Sequence, residues 1–345
     1  MSVKIRDRGI FIWLCLVFLS ILLIVVIGGV TRLTGSGLSM VEWRPVYGIL
    51  PPMSDGEWNR VFDLYQKTPE FIRLNFDMNL EGFKKIFFWE YLHRILGRLI
   101  GLLIIVPSML FWGLGRLSKT LKWQSVVMIM LVAAQGLMGW YMVKSGLVSR
   151  LDVSHYRLAA HLSLAYLLAQ WVVWMAWGQL TFLRSEGAIH SFKWGLAVWV
   201  WGVIAVQIVW GAFTAGLNAG FGFNTFPKMG DRWLPDSAWV MQPWWRNGLE
   251  NPVMVQFCHR TLAWVVLISV LFYVWQVLKC ADSIQRVMAY CLLGMTTLQF
   301  GLGVMTLLSV VEIRLAVLHQ VVALFLLTAA TISLLRARPC HRSKA

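Results

Sequence analysis

Two stretches, EYLHR at residues 90–94 and QFCHR at residues 256–260, decide how this chain folds. The first lies in an apolar run at 86–112 and the second in an apolar run at 253–278. Each run is long enough to cross about 30 Å of hydrocarbon as a helix. A histidine and an arginine inside such a span are expensive and therefore indicate function. Their recurrence predicts a membrane protein built from two related halves.

Six further apolar runs bring the predicted membrane spans to eight. The spans lie at 10–30, 86–112, 123–143, 156–178, 194–214, 253–278, 286–308 and 315–335. The composition agrees, because 58% of the residues are hydrophobic and only 14% are charged, against about 25% charged in a soluble domain. A soluble enzyme, a disordered chain and a disulfide-stapled secreted domain are excluded on this ground. The 20 tryptophans fit aromatic belts at the membrane interfaces.

The basic residues predict the orientation of the chain. Both termini and the connections after spans 2, 4 and 6 together hold 14 Lys and Arg but only three acidic residues. The opposite side holds 14 basic and 12 acidic residues, but half of those basic residues lie in the long first loop, which the positive-inside rule discounts. Basic residues concentrate on the cytoplasmic side, so we expect a multi-pass protein of the inner (cytoplasmic) membrane with both termini in the cytoplasm. The formal net charge of +15 then needs no nucleic-acid partner.

Further short motifs recur in the same order in both halves. GGVT at 28–31 corresponds to GAFT at 211–214, and QGLMG at 135–139 corresponds to QFGLG at 299–303. Four spans per half is an even number, so the halves should share one orientation and be related by an axis along the membrane normal. The predicted fold is all-α and integral to the membrane, with eight transmembrane helices in two pseudo-symmetric four-helix bundles and domains at 1–185 and 186–345.

Four of the seven histidines lie inside even-numbered spans near their outer ends: His93, His161, His259 and His319. Two per bundle at one depth can face each other across a bundle core, where such bundles hold cofactors. Two imidazoles suit the iron of a haem, whereas zinc takes more ligands. We therefore expect one haem per half near the outer face. The alternative is that these side chains only bond neighbouring helices.

A single carboxylate accompanies these histidines. Glu90 lies three residues before His93, on the same face of a helix, and its counterpart is the neutral Gln256. An intramembrane carboxylate is a functional hypothesis by default, and a base beside the cofactor is the role we expect. The alternative is a structural ion pair with Arg94, and the two roles are compatible.

Two arginines are candidates for binding haem propionates. Arg157 lies four residues before His161, and Arg314 lies five residues before His319. A guanidinium pairs well with a carboxylate, so we expect the propionates to point outward toward these side chains. The alternative is that each arginine extends to the membrane interface. His155, in the outer loop, is not expected to be a ligand.

These residues resemble the haem A synthase family across nearly the whole chain. The resemblance includes GGVTRLT at 28–34, SGLSM at 36–40, YRLAAH at 156–161 and NTFPKM at 224–229. It implies an enzyme that oxidises the C8 methyl of haem O to a formyl group by two successive oxidations, giving haem A for terminal oxidases. It also implies that His259 and His319 hold a resident haem b, that His93 and His161 flank the substrate haem, and that Glu90 is catalytic.

The resemblance also limits the mechanism and suggests partners. Some family members carry a cysteine pair in the first outer loop, which this chain lacks, so no mechanism that needs the pair is expected. The expected partners are haem O, the lipid bilayer, the farnesyltransferase that makes haem O and an electron carrier. The sequence leaves the existence of a homo-oligomer open.

Two other functions compete with this one. A dihaem cytochrome that only transfers electrons from quinol would usually stack its haems at two depths, whereas the four histidines lie at one depth. A transporter built from parallel repeats would interrupt its helices near mid-membrane, whereas the polar residues here cluster in the outer third.

Overall fold

In the part of the chain that the structure describes, the fold is all-α, with eight helices long and apolar enough to cross a membrane. The computed structural model describes residues 4–42, 49–146, 152–181, 191–279 and 283–337. The membrane helices are α1 (Arg8–Leu33), α4 (Leu80–Gly113), α5 (Lys119–Gly146), α6 (His155–Trp177), α7 (Ser191–Gly216), α9 (Pro252–Leu278), α10 (Ser283–Leu308) and α11 (Ile313–Ala337). The prediction of eight spans in an all-α integral membrane protein is confirmed.

Shorter elements occupy the connections. Helices α2 (Asp55–Gln66) and α3 (Pro69–Leu74) lie between α1 and α4, and α8 (Asn247–Glu250) precedes α9. Strand β1 (Lys4–Ile5) pairs antiparallel with β2 (Leu180–Thr181). In the first unit we call the end of the helices that carries the connection 34–79 the loop end.

Local sequence explains where the key helices begin. The side chain of Asn79 accepts a hydrogen bond of 2.9 Å from the amide of Gly82 at the start of α4. Asn251 caps α9 by accepting from the amide of Val253 at 2.9 Å, and Pro252 occupies the first turn. Both patterns satisfy or remove amides that a helix start leaves unpaired. Helix α4 therefore begins six residues before the predicted apolar run.

Packing divides the chain into two compact units, Leu16–Leu168 (the first unit) and Met1–Cys15 with Ala169–Ala345 (the second unit). In the second unit, α7 and α10 each pack against both α9 and α11, which gives a closed four-helix bundle. In the first unit, α4 packs against α5, and a Cβ added at Gly97 on α4 would lie 3.6 Å from the side chain of Ile24 on α1. The domain boundary predicted at 185/186 lies outside the described residues.

The connection before α4 forms its own aromatic layer on the first unit. Tyr65 on α2 is fully buried and stacks on Phe83 of α4 with ring centroids 5.2 Å apart. Phe87 completes the buried cluster. The Tyr65 hydroxyl donates to Glu70 Oε2 at 3.2 Å and accepts from the Asn75 amide at 2.7 Å. The layer therefore encloses a carboxyl group that is only 7% exposed.

The connection before α9 is ordered mainly by two buried asparagines. Asn247 donates to the carbonyl oxygens of Met241 and Trp244 at 2.9 and 2.8 Å. Asn251 donates to the carbonyl of Ser237 at 2.8 Å. This segment is rich in Gly, Pro and Trp and has little regular secondary structure. The side-chain amides of the two asparagines bond its backbone carbonyls instead, and this fixes its conformation.

The buried carboxyl of Glu70 predicts a pH-dependent stability of the aromatic layer. Burial raises the pKa of Glu70 to about 7, against an opposing effect of the Tyr65 hydroxyl. Since the folded state holds its proton more tightly than the unfolded state, stability is highest below about pH 4.5 and falls as the pH rises toward 7. The loss for this group is on the order of 2–3 kcal/mol.

Thermal unfolding of the purified protein between pH 5 and 8 measures this effect. The wild type should lose melting temperature toward pH 8 relative to Glu70→Gln, which has no proton to release. If the melting temperatures of the two proteins change equally with pH over this range, Glu70 is not held as a buried, protonated acid.

Candidate functional site

Each of the four span histidines lies against a glycine of the preceding membrane helix. An added Cβ would lie 3.1 Å from the His93 ring at Gly28, 3.1 Å from the His161 ring at Gly139, 3.0 Å from the His259 ring at Gly211 and 3.0 Å from the His319 ring at Gly303. A side chain at any of these four positions would therefore press against the imidazole ring, whereas glycine leaves it room. The glycines come from the recurring motifs, so the internal repeat extends to side-chain packing.

Within each unit the histidines form a pair. His93 and His161 are close enough to interact electrostatically in the first unit, as are His259 and His319 in the second. All four rings are half-buried. Among the described residues no group of three or more His, Cys, Asp or Glu side chains could hold a metal ion. The arrangement thus offers two nitrogen ligands per unit, which suits a metal whose other ligands come from its own macrocycle.

Buried polar atoms at these rings lack partners. Nδ1 of His161, His259 and His319 is buried without a hydrogen bond. Gln135 Nε2 lies 3.3 Å from His161 Nε2, and Gln299 Nε2 lies 3.3 Å from His319 Nε2, while the Oε1 atom of each glutamine is also unpaired. Orphaned buried groups are rare in native proteins. Polar, partnerless sites lined by imidazole and glycine therefore fit a bound haem.

The Glu90 carboxylate is buried and fully engaged. Its side chain is only 4% exposed, and Oε1 accepts from Arg94 Nη2 at 2.6 Å. Oε2 accepts from the Ser39 hydroxyl at 2.7 Å and from the Met40 amide at 2.8 Å. The structural ion pair considered above is therefore present. Sequence reasoning missed Ser39 and Met40, which lie about fifty residues away in the chain.

In each half, the arginine that follows the first span histidine (Arg94 after His93, Arg260 after His259) donates hydrogen bonds to backbone carbonyls of a loop. Arg94 donates to the carbonyls of Met40 at 2.8 Å and Glu42 at 3.1 Å. Arg260 donates to the carbonyls of Phe223 at 2.7 Å and Thr225 at 2.8 Å. Both loops follow the first helix of their half. The His-Arg pair recurs in the sequence, and this recurrence is the signal from which the shared role of the two arginines could have been predicted.

The two arginines predicted to meet propionates differ in their surroundings. Arg157 donates to the Tyr141 carbonyl at 2.6 Å, and its guanidinium lies 3.6 Å from the centre of the Tyr141 ring. Arg314 is exposed in the first turn of α11. His155 is buried, with its ring 4.0 Å from that of Tyr156. The propionate role of both arginines stays a prediction.

The glutamines and glycines were visible in the sequence as a repeat, but their contacts were not. Gln135 and Gly139 are spaced by one helical turn, as are Gln299 and Gly303. This spacing places both residues on the helix face that meets the histidine of the next helix. The recurrence of this Gln–Gly spacing before the predicted ligands His161 and His319 was the signal that could have identified these residues as part of the site.

Fold and site define a multi-pass helical membrane protein with two equivalent histidine-pair sites. A family model described as cytochrome oxidase assembly protein (COX15-CtaA) matches residues 11–331. Proteins named heme A synthase are similar over most of their length: 43% identical in Rhodospirillum centenum (95% of this chain, 89% of the relative), 40% in Brucella anthropi (94% and 91%) and 40% in Nitrosomonas eutropha (93% and 91%). The chain belongs to this family of cytochrome oxidase assembly proteins.

The glycine–histidine contacts predict a position-specific loss of haem. Gly303→Ala would place a methyl group 3.0 Å from the His319 ring, whereas nothing lies within 4 Å of a Cβ at Gly301 on the same helix. Overpacking of this kind costs about 1–3 kcal/mol, so Gly303→Ala should weaken haem retention at least about fivefold. Haem content per chain, measured as the pyridine haemochrome, should fall for Gly303→Ala and not for Gly301→Ala. Equal haem content in both variants would contradict the proposed packing.

Proposed function

We propose that this chain is a haem A synthase, which oxidises the C8 methyl of haem O to a formyl group in two successive oxidations. The observation that carries the proposal is the recurrence of one glycine-backed histidine pair in each half. Family membership and relatives named heme A synthase, similar over more than nine tenths of the chain, support the substrate and product. In this proposal the enzyme is an oxidoreductase acting on a methyl group.

The two halves have different tasks in this proposal. His93 and His161 hold haem O as the substrate, because the only carboxylate beside a histidine pair in the described spans, Glu90, lies in this half. His259 and His319 hold a resident haem b, where the corresponding position is the neutral Gln256. Haem b supplies a one-electron redox centre when bound. In this proposal the domain at 1–185 holds the substrate site and the domain at 186–345 holds the resident haem b site.

The residues of the chain have distinct roles in the reaction. The two imidazoles of the first unit fix the position of the substrate ring, and Gly28 and Gly139 leave the space for those imidazoles. Glu90 takes up a proton released from the methyl group as it is oxidised, at the oxygen that otherwise accepts from Ser39 and Met40. Arg157 and Arg314 pair with propionates. Arg157 is already oriented by Tyr141.

We place the protein in the inner membrane of a bacterium, with both termini in the cytoplasm and both histidine pairs near the outer face. The excess of basic residues at the termini and the short connections supports this orientation. Haem O is apolar and membrane-bound, so the farnesyltransferase that makes it is a suitable neighbour. The oxidation of the methyl group to a formyl group also needs an oxygen atom. If water supplies it, an electron carrier accepts the electrons that each oxidation removes; if O2 supplies it, the carrier donates electrons instead. A homo-oligomer would be compatible with these roles.

Pigment analysis tests the function and the role of Glu90. Protein purified from cells that make haem O should carry haem A and haem B. Glu90→Gln removes the proton acceptor but keeps the side-chain size, so haem O or a hydroxylated intermediate should accumulate, with haem A reduced at least about a hundredfold.

Glu81→Gln is the matched control, because Glu81 is an exposed acid in the first turn of the same helix. This variant should carry the wild-type pigments. Haem B alone on the wild type, at two per chain, would contradict the synthase and favour the electron-transfer cytochrome. Wild-type haem A on Glu90→Gln would contradict the role of the carboxylate.

A further inference from the structure

The segment at residues 36–42, which follows α1, has a compact and buried path. Gly35 adopts φ of +63°, a conformation that glycine adopts without strain, and the Ser36 amide then donates to the Thr31 carbonyl at 2.8 Å. Leu38 and Ser39 are 4% and 2% exposed. This segment lies at the loop end of the first unit, where it meets Glu90 one helical turn before His93.

Charge holds the 36–42 segment in place. The Glu90 carboxylate accepts from the hydroxyl of Ser39 and the amide of Met40, and Arg94 donates to the carbonyls of Met40 and Glu42. The Glu90–Arg94 ion pair therefore supplies both an acceptor and donors to the segment, and Arg60 additionally pairs with the carboxylate of Glu42 at 3.2 Å. Hydrogen bonds to ionised groups are about twice as strong as neutral ones.

The corresponding loop in the second unit, at residues 223–228, is held differently. Gln256 donates its amide to the Phe223 carbonyl at 3.1 Å, and Arg260 donates to the carbonyls of Phe223, Thr225 and Lys228. Every one of these bonds ends on a backbone carbonyl. None of them depends on a side chain that changes its charge when it takes up a proton.

We propose that Glu90 holds the 36–42 segment closed over the substrate pair His93–His161 and that Ser39 is the residue that positions its carboxylate. The hydrogen bonds between this segment and Glu90 break and re-form as the substrate enters and the product leaves. The 223–228 loop stays fixed over the second histidine pair. The proposal rests on the proposed function only in assigning the exchanging haem to the first unit.

The difference between the two halves follows from what each must do. A substrate site must exchange its haem in every turnover, whereas a resident site must keep it. The bonds from Ser39 and Met40 both end on one carboxylate oxygen of Glu90 and weaken together when that oxygen takes up a proton, which leaves the segment with the bonds that Arg94 donates to the carbonyls of Met40 and Glu42. In the second unit, the hydrogen bonds that Arg260 and Gln256 donate to carbonyls of the 223–228 loop do not depend on a carboxylate.

Cysteine labelling tests the proposal on the purified full-length protein. Val41→Cys places a thiol at a half-buried position of the 36–42 segment. The rate at which this thiol reacts with a water-soluble maleimide reports how often the segment opens. Ser39→Ala in this background should speed labelling about tenfold, since it removes one hydrogen bond to a charged group. Glu90→Gln should speed it further, because the carboxylate charge is lost.

Two controls make the result specific. Ser20→Ala removes an exposed serine hydroxyl on α1 that bonds only its own helix, and should leave labelling at Val41→Cys unchanged. Phe226→Cys reports on the 223–228 loop, and neither Ser39→Ala nor Glu90→Gln should change its labelling rate. Unchanged labelling at Val41→Cys in both Ser39→Ala and Glu90→Gln would overturn the proposal, as would equal acceleration at Phe226→Cys.

Kinetics with haem O distinguish a positioning role of Ser39 from a general loss of folded enzyme. Ser39→Ala should raise KM for haem O about as much as it speeds labelling, and kcat should fall as well, because the Glu90 carboxylate loses the bond that positions it. Ser39→Thr, which keeps a hydroxyl, should restore both. A fall in kcat without a change in labelling would overturn the role of Ser39. Because labelling needs no turnover, a wild type that makes no haem A would contradict the proposed function and leave the labelling result standing.

Discussion

The structure depends on placing an imidazole inside an apolar helix without leaving its nitrogens unpaired. Hydrocarbon offers no hydrogen bonds, so a buried ring nitrogen needs a partner from the protein or from a ligand. Four histidine rings meet this constraint in the same way, each against a glycine of the preceding membrane helix. The glycines leave space for the rings, and Nδ1 of His161, His259 and His319 has no hydrogen-bond partner within the protein, which leaves these nitrogens available to a ligand.

The repeat explains both what the halves share and where they differ. Histidine, glycine and the arginine that follows the first histidine occur in both halves with the same contacts. The difference between Glu90 and Gln256 places a carboxylate near one histidine pair and a neutral amide near the other. An ion pair buried in this way is costly unless its bonds are all satisfied, and here the 36–42 segment provides the remaining donors and acceptors. The shape of that segment is thus tied to the charge of Glu90.

Much of the fold could be predicted from the sequence because membrane spans have a simple physical signature. Length, hydropathy and the recurrence of His93 with His259 predict eight helices in two related halves. The contacts of Glu90 with Ser39 and Met40 could not be predicted, because they join residues far apart in the chain through a loop without periodicity. The burial of Glu70 was equally hidden, since the stretch around it is polar and its burial depends on the aromatic ring of Tyr65. Arg157 contacts Tyr141 on a neighbouring helix, which spacing within one helix cannot reveal.

Electron paramagnetic resonance of the oxidised protein, purified from cells that make haem O, tests most directly whether the two histidine pairs hold iron. The account predicts low-spin ferric signals from two bis-imidazole irons. His161→Ala should remove only one of these signals and His319→Ala only the other, because each pair lies within its own unit. High-spin iron throughout, or the loss of both signals on substitution of a single histidine, would contradict the account.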